Sequence, residues 1–283
     1  MAGVEQAMGE DSPFVLTLER YDGREKSVEI PAGVTKIGRR AFSNNRYVRE
    51  VVIPDGVTII GEEAFSSCVN IERIVIPDSV VEIGEGAFKG CWKLDGIRIP
   101  EGVVELPRKA FARCRCLNDI VLPRSLKAIG DSCFQYCSTM AAFSVPESVE
   151  RLGECAFYGC RELSQVALND GLDTIENEAF RNCIALESID IPETVGWLGQ
   201  RCFKDCTGLV SAFLPSGLEF LEEALFEGCS SLDAVVLPSE LSHVESRAFS
   251  KTGLAKDDLT FRDDCVVALD AFDGEADARA SRA

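Results

Sequence analysis

Histidine is nearly missing from this chain of 283 residues: His243 stands alone. Any imidazole base serving a Ser or Cys nucleophile would have to be that residue. It lies between the apolar Leu241 and Val244, on an outward position with no sign of a preorganised pocket, so the reading is not an enzyme. Positive charge is also scarce, 29 Lys and Arg against 47 Asp and Glu, a net charge of −18. Phosphate backbones and anionic membranes demand clustered cations, so nucleic acid and membrane surfaces are poor partners. No run of 18 apolar residues is present to insert into a membrane. The opening MAGVEQAMGEDSPF has neither the basic flank nor the apolar run of a secretory leader. N-glycosylation triplets, a C-terminal anchor and the C-x₂-C spacing of a zinc knuckle are likewise missing, and no cofactor or metal is expected.

What the chain has in quantity is repetition. Phenylalanine recurs at positions 42, 65, 88, 111, 134, 157, 180, 203, 226 and 249, ten residues in steps of 23 with no insertion or deletion. A fixed period of about 20 to 50 residues means one supersecondary unit stacked on copies of itself, each coil burying a surface it cannot bury alone. Three residues after the Phe stands a Cys, at 68, 91, 114, 137, 160, 183, 206 and 229, replaced by Asn45 in the first unit and Thr252 in the last. Aliphatic residues follow six, nine and eleven positions after the Phe, as in Ile71, Ile74 and Ile76. Proline closes the run at 54, 77, 100, 123, 146, 192, 215 and 238, with Asn169 as the exception.

The Ile74-x-Ile76 alternation predicts a short strand with one buried face, ended by a proline that can donate no ladder hydrogen bond. Val80 and Ile83 predict a second extended piece, and Gly-x-x-Ala-Phe-x-x-Cys predicts a turn of α- or 3₁₀-helix. Asp55, Asp78, Glu101, Glu147, Asp170 and Glu193 share the place after the proline position, where turn chemistry explains them; a stripe that binds a cation or a basic peptide is the sharper alternative, and Arg124 interrupts it.

These units resemble the BspA-like leucine-rich repeat family, whose repeat reads roughly I-G-x-x-A-F-x-x-C-x-x-L-x-x-I-x-I-P. The resemblance covers about residues 27 to 255. Departures are local: Asn169 for Pro, Pro107, Glu176, Glu222 and Glu245 for Gly, and Cys133, Cys202 and Leu225 for Ala. It implies an α/β repeat solenoid, a curved right-handed superhelix of about ten 23-residue coils built from short parallel strands, helical or 3₁₀ turns and terminal caps. It also implies a protein that works by binding other molecules, often at the surface of bacteria or protists.

Thirteen cysteines would suggest disulfides in a secreted chain, but eight occupy one inward repeat position. A reduced thiol suits a core, and the odd total fits free thiols in a reducing compartment, so the expected location is cytoplasmic, with cell surface or secretion as the alternative. Cys114-x-Cys116 and Cys133-x₃-Cys137 fall on successive coils, yet ladder side chains run parallel instead of converging on zinc.

With no linker in the middle, residues 12–272 read as one domain. Residues 12–30 are expected to form a β-hairpin cap, from Phe14–Glu19 and Ser27–Ile30, and residues 256–272 a degraded capping coil in which Phe272 keeps the period. Residues 1–11 and 273–283 are expected to be disordered.

Function is therefore sought on outward positions. Between the two strand aliphatics stand Val52, Val75, Arg98, Val121, Ser144, Ala167, Asp190, Phe213 and Val236, an unusually apolar row for a concave sheet. Strand preference for valine accounts for it as well as a binding strip does. Trp197, Phe220 and His243 share a second equivalent position in three successive coils, explained either by cross-strand stacking or by interface anchors. The expectation is a monomeric, non-enzymatic scaffold that binds another protein through its sheet; a surface adhesion module and a cysteine-based metal protein or enzyme are the alternatives.

Overall fold

The 23-residue register is carried into the backbone ladder. In the computed structural model, which describes residues 3–7 and 15–272, Val51 pairs with Ile74 and Val52 with Val75 in parallel strands, each partner 23 positions further on. The chain falls into two compact units, residues 1–140 and 141–283.

The first unit carries two columns of parallel strands. Ser27–Glu29, Glu50–Val52 and Arg73–Val75 form one ladder, and Gly96–Arg98 pairs with Asp119–Val121 in the same repeat position. The second column holds two-residue strands: Lys36–Ile37, Ile59–Ile60 and Glu82–Ile83, then Glu105–Leu106 beside Ala128–Ile129. In the second unit Ala142–Ser144 pairs with Gln165–Ala167, and Ser188–Asp190, Ser211–Phe213 and Ala234–Val236 form a three-stranded ladder. Its short-strand column comprises Arg151–Leu152, Thr174–Ile175 and Trp197–Leu198, followed by Phe220–Leu221, His243–Val244 and Val266–Val267. Each unit is a parallel β-solenoid.

The phenylalanines form the spine of each core. Phe65, Phe88 and Phe111 stack at 5.7 and 5.2 Å, and Phe157, Phe180, Phe203 and Phe226 at 5.2, 5.6 and 5.5 Å, with ring planes within 11° of parallel. All ten are fully buried, each worth about 1.5–3 kcal/mol of apolar burial. Tyr21 continues the stack onto Phe42 at 4.8 Å, and Phe272 continues it from Phe249 at 5.0 Å.

The α/β expectation is corrected. Among the described residues the only helical stretch is a single 3₁₀ turn, Lys256–Asp258. The Gly-x-x-Ala-Phe-x-x-Cys segment is a run of tight turns, because its amides are divided between two directions. The N–H groups of Arg40, Phe42 and Asn44 donate along the axis to the carbonyls of Glu62, Ala64 and Ser66, whereas those of Ala41, Ser43 and Asn45 donate back three residues. With every second amide spent on the next coil, an i→i−4 ladder cannot form.

This geometry places two residues of each coil in the left-handed region, two before and two after the Phe. In the second coil these are Glu63 (φ 51°) and Ser67 (φ 60°); in the third they are Gly86 and Gly90. Sixteen of the twenty sites carry a side chain, so the axial hydrogen bonds must outweigh a strain of about 1–2 kcal/mol at each.

At the N-terminal end the hairpin between Phe14–Glu19 and Ser27–Ile30 does not form. Phe14 lies outside the described residues. Val15–Arg20 pairs antiparallel with Gly3–Ala7 and parallel with Lys36–Ile37, while Ser27–Glu29 joins the strand of the first coil, where Val28 is buried in register with Val51. Residues 3–7, expected to be disordered, are thus a strand. The remaining N-terminal residues of that expectation (1, 2 and 8–11) and the tail 273–283 lie outside the described residues. At the other end Val266–Val267 adds a strand beside His243–Val244, and Phe261 packs edge-on to Phe272 at 6.4 Å.

Candidate protein-binding face

The groups that could carry chemistry are used for structure. The thiols of Cys68, Cys91, Cys114, Cys137, Cys183, Cys206 and Cys229 each donate to the carbonyl of the Phe one coil earlier, at 3.0–3.3 Å, as Cys68 does to Phe42. Burial pushes Cys68 and Cys114 up to about 12 and Cys91 and Cys183 well above the usual thiol range, which suppresses the thiolate needed by a nucleophile or a metal. Asn45 fills the same corner in the first coil: its amide donates to Gly23 and its carbonyl oxygen accepts from Tyr47 and Val48. Thr252 does likewise in the last, donating to Phe249 and accepting from Leu254.

Cys114 is buried and Cys116 exposed, so the adjacent pair does not aim at one point. Among the described residues no group of three or more His, Cys, Asp or Glu is arranged to hold a metal ion. His243 is half-buried, its Nδ1 2.9 Å from the Ser242 hydroxyl.

The outward strand positions are accessible. In the first unit Val52, Val75, Arg98 and Val121 are exposed, with Arg98 ion-paired to Asp78 at 2.6 Å. In the second, Ser144, Ala167, Asp190, Phe213 and Val236 are exposed, the last two at 48% and 53%. Asp190, Phe213 and Val236 stand side by side across three paired strands.

Trp197, Phe220 and His243 belong to the other column of strands. Phe220 and His243 stack at 5.0 Å with rings 11° apart, while Trp197 is in register with Thr174. The six candidates of the second unit are therefore divided between two strand columns.

The BspA type leucine-rich repeat pattern, six copies of it, matches residues 21–141 and 128–255. The chain belongs to this family. Among solved structures, a leucine-rich cell surface protein from Faecalibacterium prausnitzii shares 24% identity over 98% of this chain and 95% of its own, with a TM-score of 0.53. A leucine-rich repeat protein from Bacteroides ovatus shares 21% identity over 94% and 97%, with a TM-score of 0.52. At that identity these show a shared fold. No curated protein matches the chain. The regularity of this BspA type chain lies in its inward positions, and its individuality lies outside.

That individuality is electrostatic, and a count over the whole chain conceals it. Residues 1–140 hold 18 basic and 20 acidic side chains, a net of −2; residues 141–283 hold 11 and 27, a net of −16. The outward positions of the three-residue strands differ in step. In the first unit five of ten are charged: Glu29, Glu50, Arg73, Arg98 and Asp119. In the second only Asp190 is, among Ala, Ser, Gln, Phe and Val. Val210, also exposed, lies beside this strip and outside the alternating pattern that marks the candidates: it stands seven residues after its Phe, just ahead of the strand.

Among the described residues no helix is long and apolar enough to cross a membrane.

Proposed function

We propose that this leucine-rich repeat protein is a non-enzymatic binding module that recognises another protein through the outward face of its three-residue strands. The observation that carries the reading is an exposed apolar row in each unit, Val52, Val75 and Val121 in one and Phe213 and Val236 in the other, held in register by ladders whose alternate residues turn inward. Solvent-facing apolar residues repeated on a rigid sheet supply contact area at little ordering cost.

On location, two observations pull apart. All thirteen cysteines are free, which favours the cytosol; the F. prausnitzii protein of similar fold is a cell surface protein. The test is proximity labelling in native cells with wild type and the Val75→Glu, Val121→Glu, Phe213→Glu triple variant, together with a thiol count on the recovered protein. Loss of the labelled neighbours from a folded triple variant supports the binding face, and unchanged neighbours refute it. A reduced Cys116, the exposed thiol, supports a reducing compartment, and an oxidised or capped Cys116 supports the surface.

A further inference from the structure

The sheet formed by Ser188–Asp190, Ser211–Phe213 and Ala234–Val236 differs from the rest of the surface in a way that specifies a partner. Three exposed apolar residues, Val210, Phe213 and Val236, share this sheet with the exposed carboxylates of Glu187, Asp190, Glu193 and Asp233, Glu187 and Asp233 standing on either side of Val210 and Asp190 beside Phe213. Glu187, Val210 and Asp233 follow one another along the axis, linked by the Val210 N–H to the Glu187 carbonyl at 2.8 Å and the Asp233 N–H to the Val210 carbonyl at 3.1 Å. They flank the strands on one side. Glu193 flanks them on the other, its carboxylate accepting from the Ser216 amide and hydroxyl at 2.9 and 2.7 Å, bonds that hold its pKa below the usual range and keep it charged.

Few cations stand beside these carboxylates: Arg262, one coil on, reaches the Ser239 carbonyl at 3.5 Å and is paired with Glu240 and Asp264 at 3.3 and 2.9 Å. From residue 182 to 246 the only Lys or Arg side chains are Arg201 and Lys204. Each is engaged on the turn side of its coil, with Glu223 and Glu227 respectively, both at 2.6 Å. The carboxylates of Glu187, Asp190 and Asp233 have no ion pair among the described residues. In the first unit the corresponding sheet carries Arg73 and Arg98 on its own outward positions.

We infer that this face is the docking site for a basic polypeptide segment, whose apolar side chains cover Val210, Phe213 and Val236 and whose Lys or Arg side chains meet Glu187, Asp190, Glu193 and Asp233. The inference rests on the protein-binding reading above and narrows it to one unit and one partner chemistry. Apolar residues beside complementary charges combine contact area with steering and selectivity, and an acidic partner is rejected by the same carboxylates.

The test uses the full-length protein and three labelled dodecapeptides of alternating residues: Lys with Val, Glu with Val, and Lys with Ser. The Lys/Val peptide binds, and the other two bind at least about tenfold more weakly. Its affinity falls at least about tenfold between about 0.1 M salt, where the Debye length is about 10 Å, and about 1 M, where it is about 3 Å. The Glu187→Gln, Asp190→Asn, Asp233→Asn variant loses that affinity. A control with the same change in net charge, Glu219→Gln, Glu245→Gln, Asp257→Asn, keeps it, and so does Phe220→Ser on the other strand column.

Equal loss in both charge variants, or equal binding of Lys/Val and Glu/Val peptides, overturns the site. The native neighbours found by proximity labelling separate the two readings. If they are lost on Phe213→Glu but kept when the three carboxylates are neutralised, protein binding stands and the basic partner falls.

Discussion

A cysteine at the repeat corner is a small apolar residue that also satisfies a backbone carbonyl, and both roles predict its behaviour. Cys116 is the exposed thiol, while Cys155 and Cys265 are partly covered and the other ten are buried. Maleimide labelling of the native protein followed by mass spectrometry should therefore mark Cys116 first, with Cys155 held back because burial raises its pKa to about 12. Denaturation should release the rest. The same shifts set a pH dependence. Between the ordinary value near 9 and about 12, the unfolded chain has lost protons that folded Cys68 and Cys114 still hold. Stability is full below about pH 9 and declines as pH rises toward 12, by about 1.4 kcal/mol per pH unit for each such thiol. Denaturant titrations at pH 8 and about pH 10.5 should show the loss; a flat profile would mean that these thiols titrate alike in both states.

Asn169 shows how a residue can break a pattern without breaking the fold. At the place of a proline, its side-chain amide donates to the carbonyls of Pro146 and Val149 at 2.8 and 3.1 Å and its oxygen accepts from the Gly171 N–H at 2.6 Å. Asn169→Ala should cost about 1–3 kcal/mol in a chemical melt, since three backbone groups lose their partner and one of them, the Val149 carbonyl, is buried. The sequence marked Asn169 as an exception and offered no reason, because two of the three partners lie one coil away.

At the scale of the repeat element, the helical turn was the misreading. Gly, Ala, Phe and Cys at those spacings suit a helical turn locally, but the stack offers each alternate amide a carbonyl on the neighbouring coil, and that option exists only once coils are stacked. The left-handed sites are the trace it leaves. Lys109 (φ 57°) forms no ion pair among the described residues. Lys109→Gly should raise stability by up to about 1 kcal/mol, the relief of left-handed strain less the added freedom of the unfolded chain. Gly90→Val, at φ 74°, should lower it. Thermal melts of the two variants decide the sign.

At the scale of the whole molecule, the 23-residue step is the quantity to perturb. Removing residues 74–96 joins Arg73 to Ile97 and keeps every inward position, so the shortened protein should melt cooperatively. Removing residues 74–97 differs by one residue and places Arg98 on the inward side of the strand. An uncompensated buried charge of that kind should cost about 3–5 kcal/mol or unfold the local coils. Calorimetry of the two deletions separates register from length.

Read alone, the sequence determined the period, the inward set, the stacked Phe spine, the corner role of Cys, Asn45 and Thr252, and the leucine-rich repeat family. It could do so because one short unit is repeated ten times, so each inward position is sampled ten times over and chance is averaged out. The outward positions occur once each, and nothing in a linear pattern says which of them become neighbours. Only the tertiary structure decided that the turns are not helices, that Gly3–Ala7 supplies the strand beside Val15–Arg20, and that Trp197, Phe220 and His243 lie on a different column from Phe213. It alone set Val210, Phe213 and Val236 beside carboxylates whose nearest cations in sequence are engaged on the turn side of the coil. The reason is physical: inward residues answer to their own coil's packing, whereas a binding face is made by stacking, which brings residues 23 apart in sequence to within a strand spacing of one another.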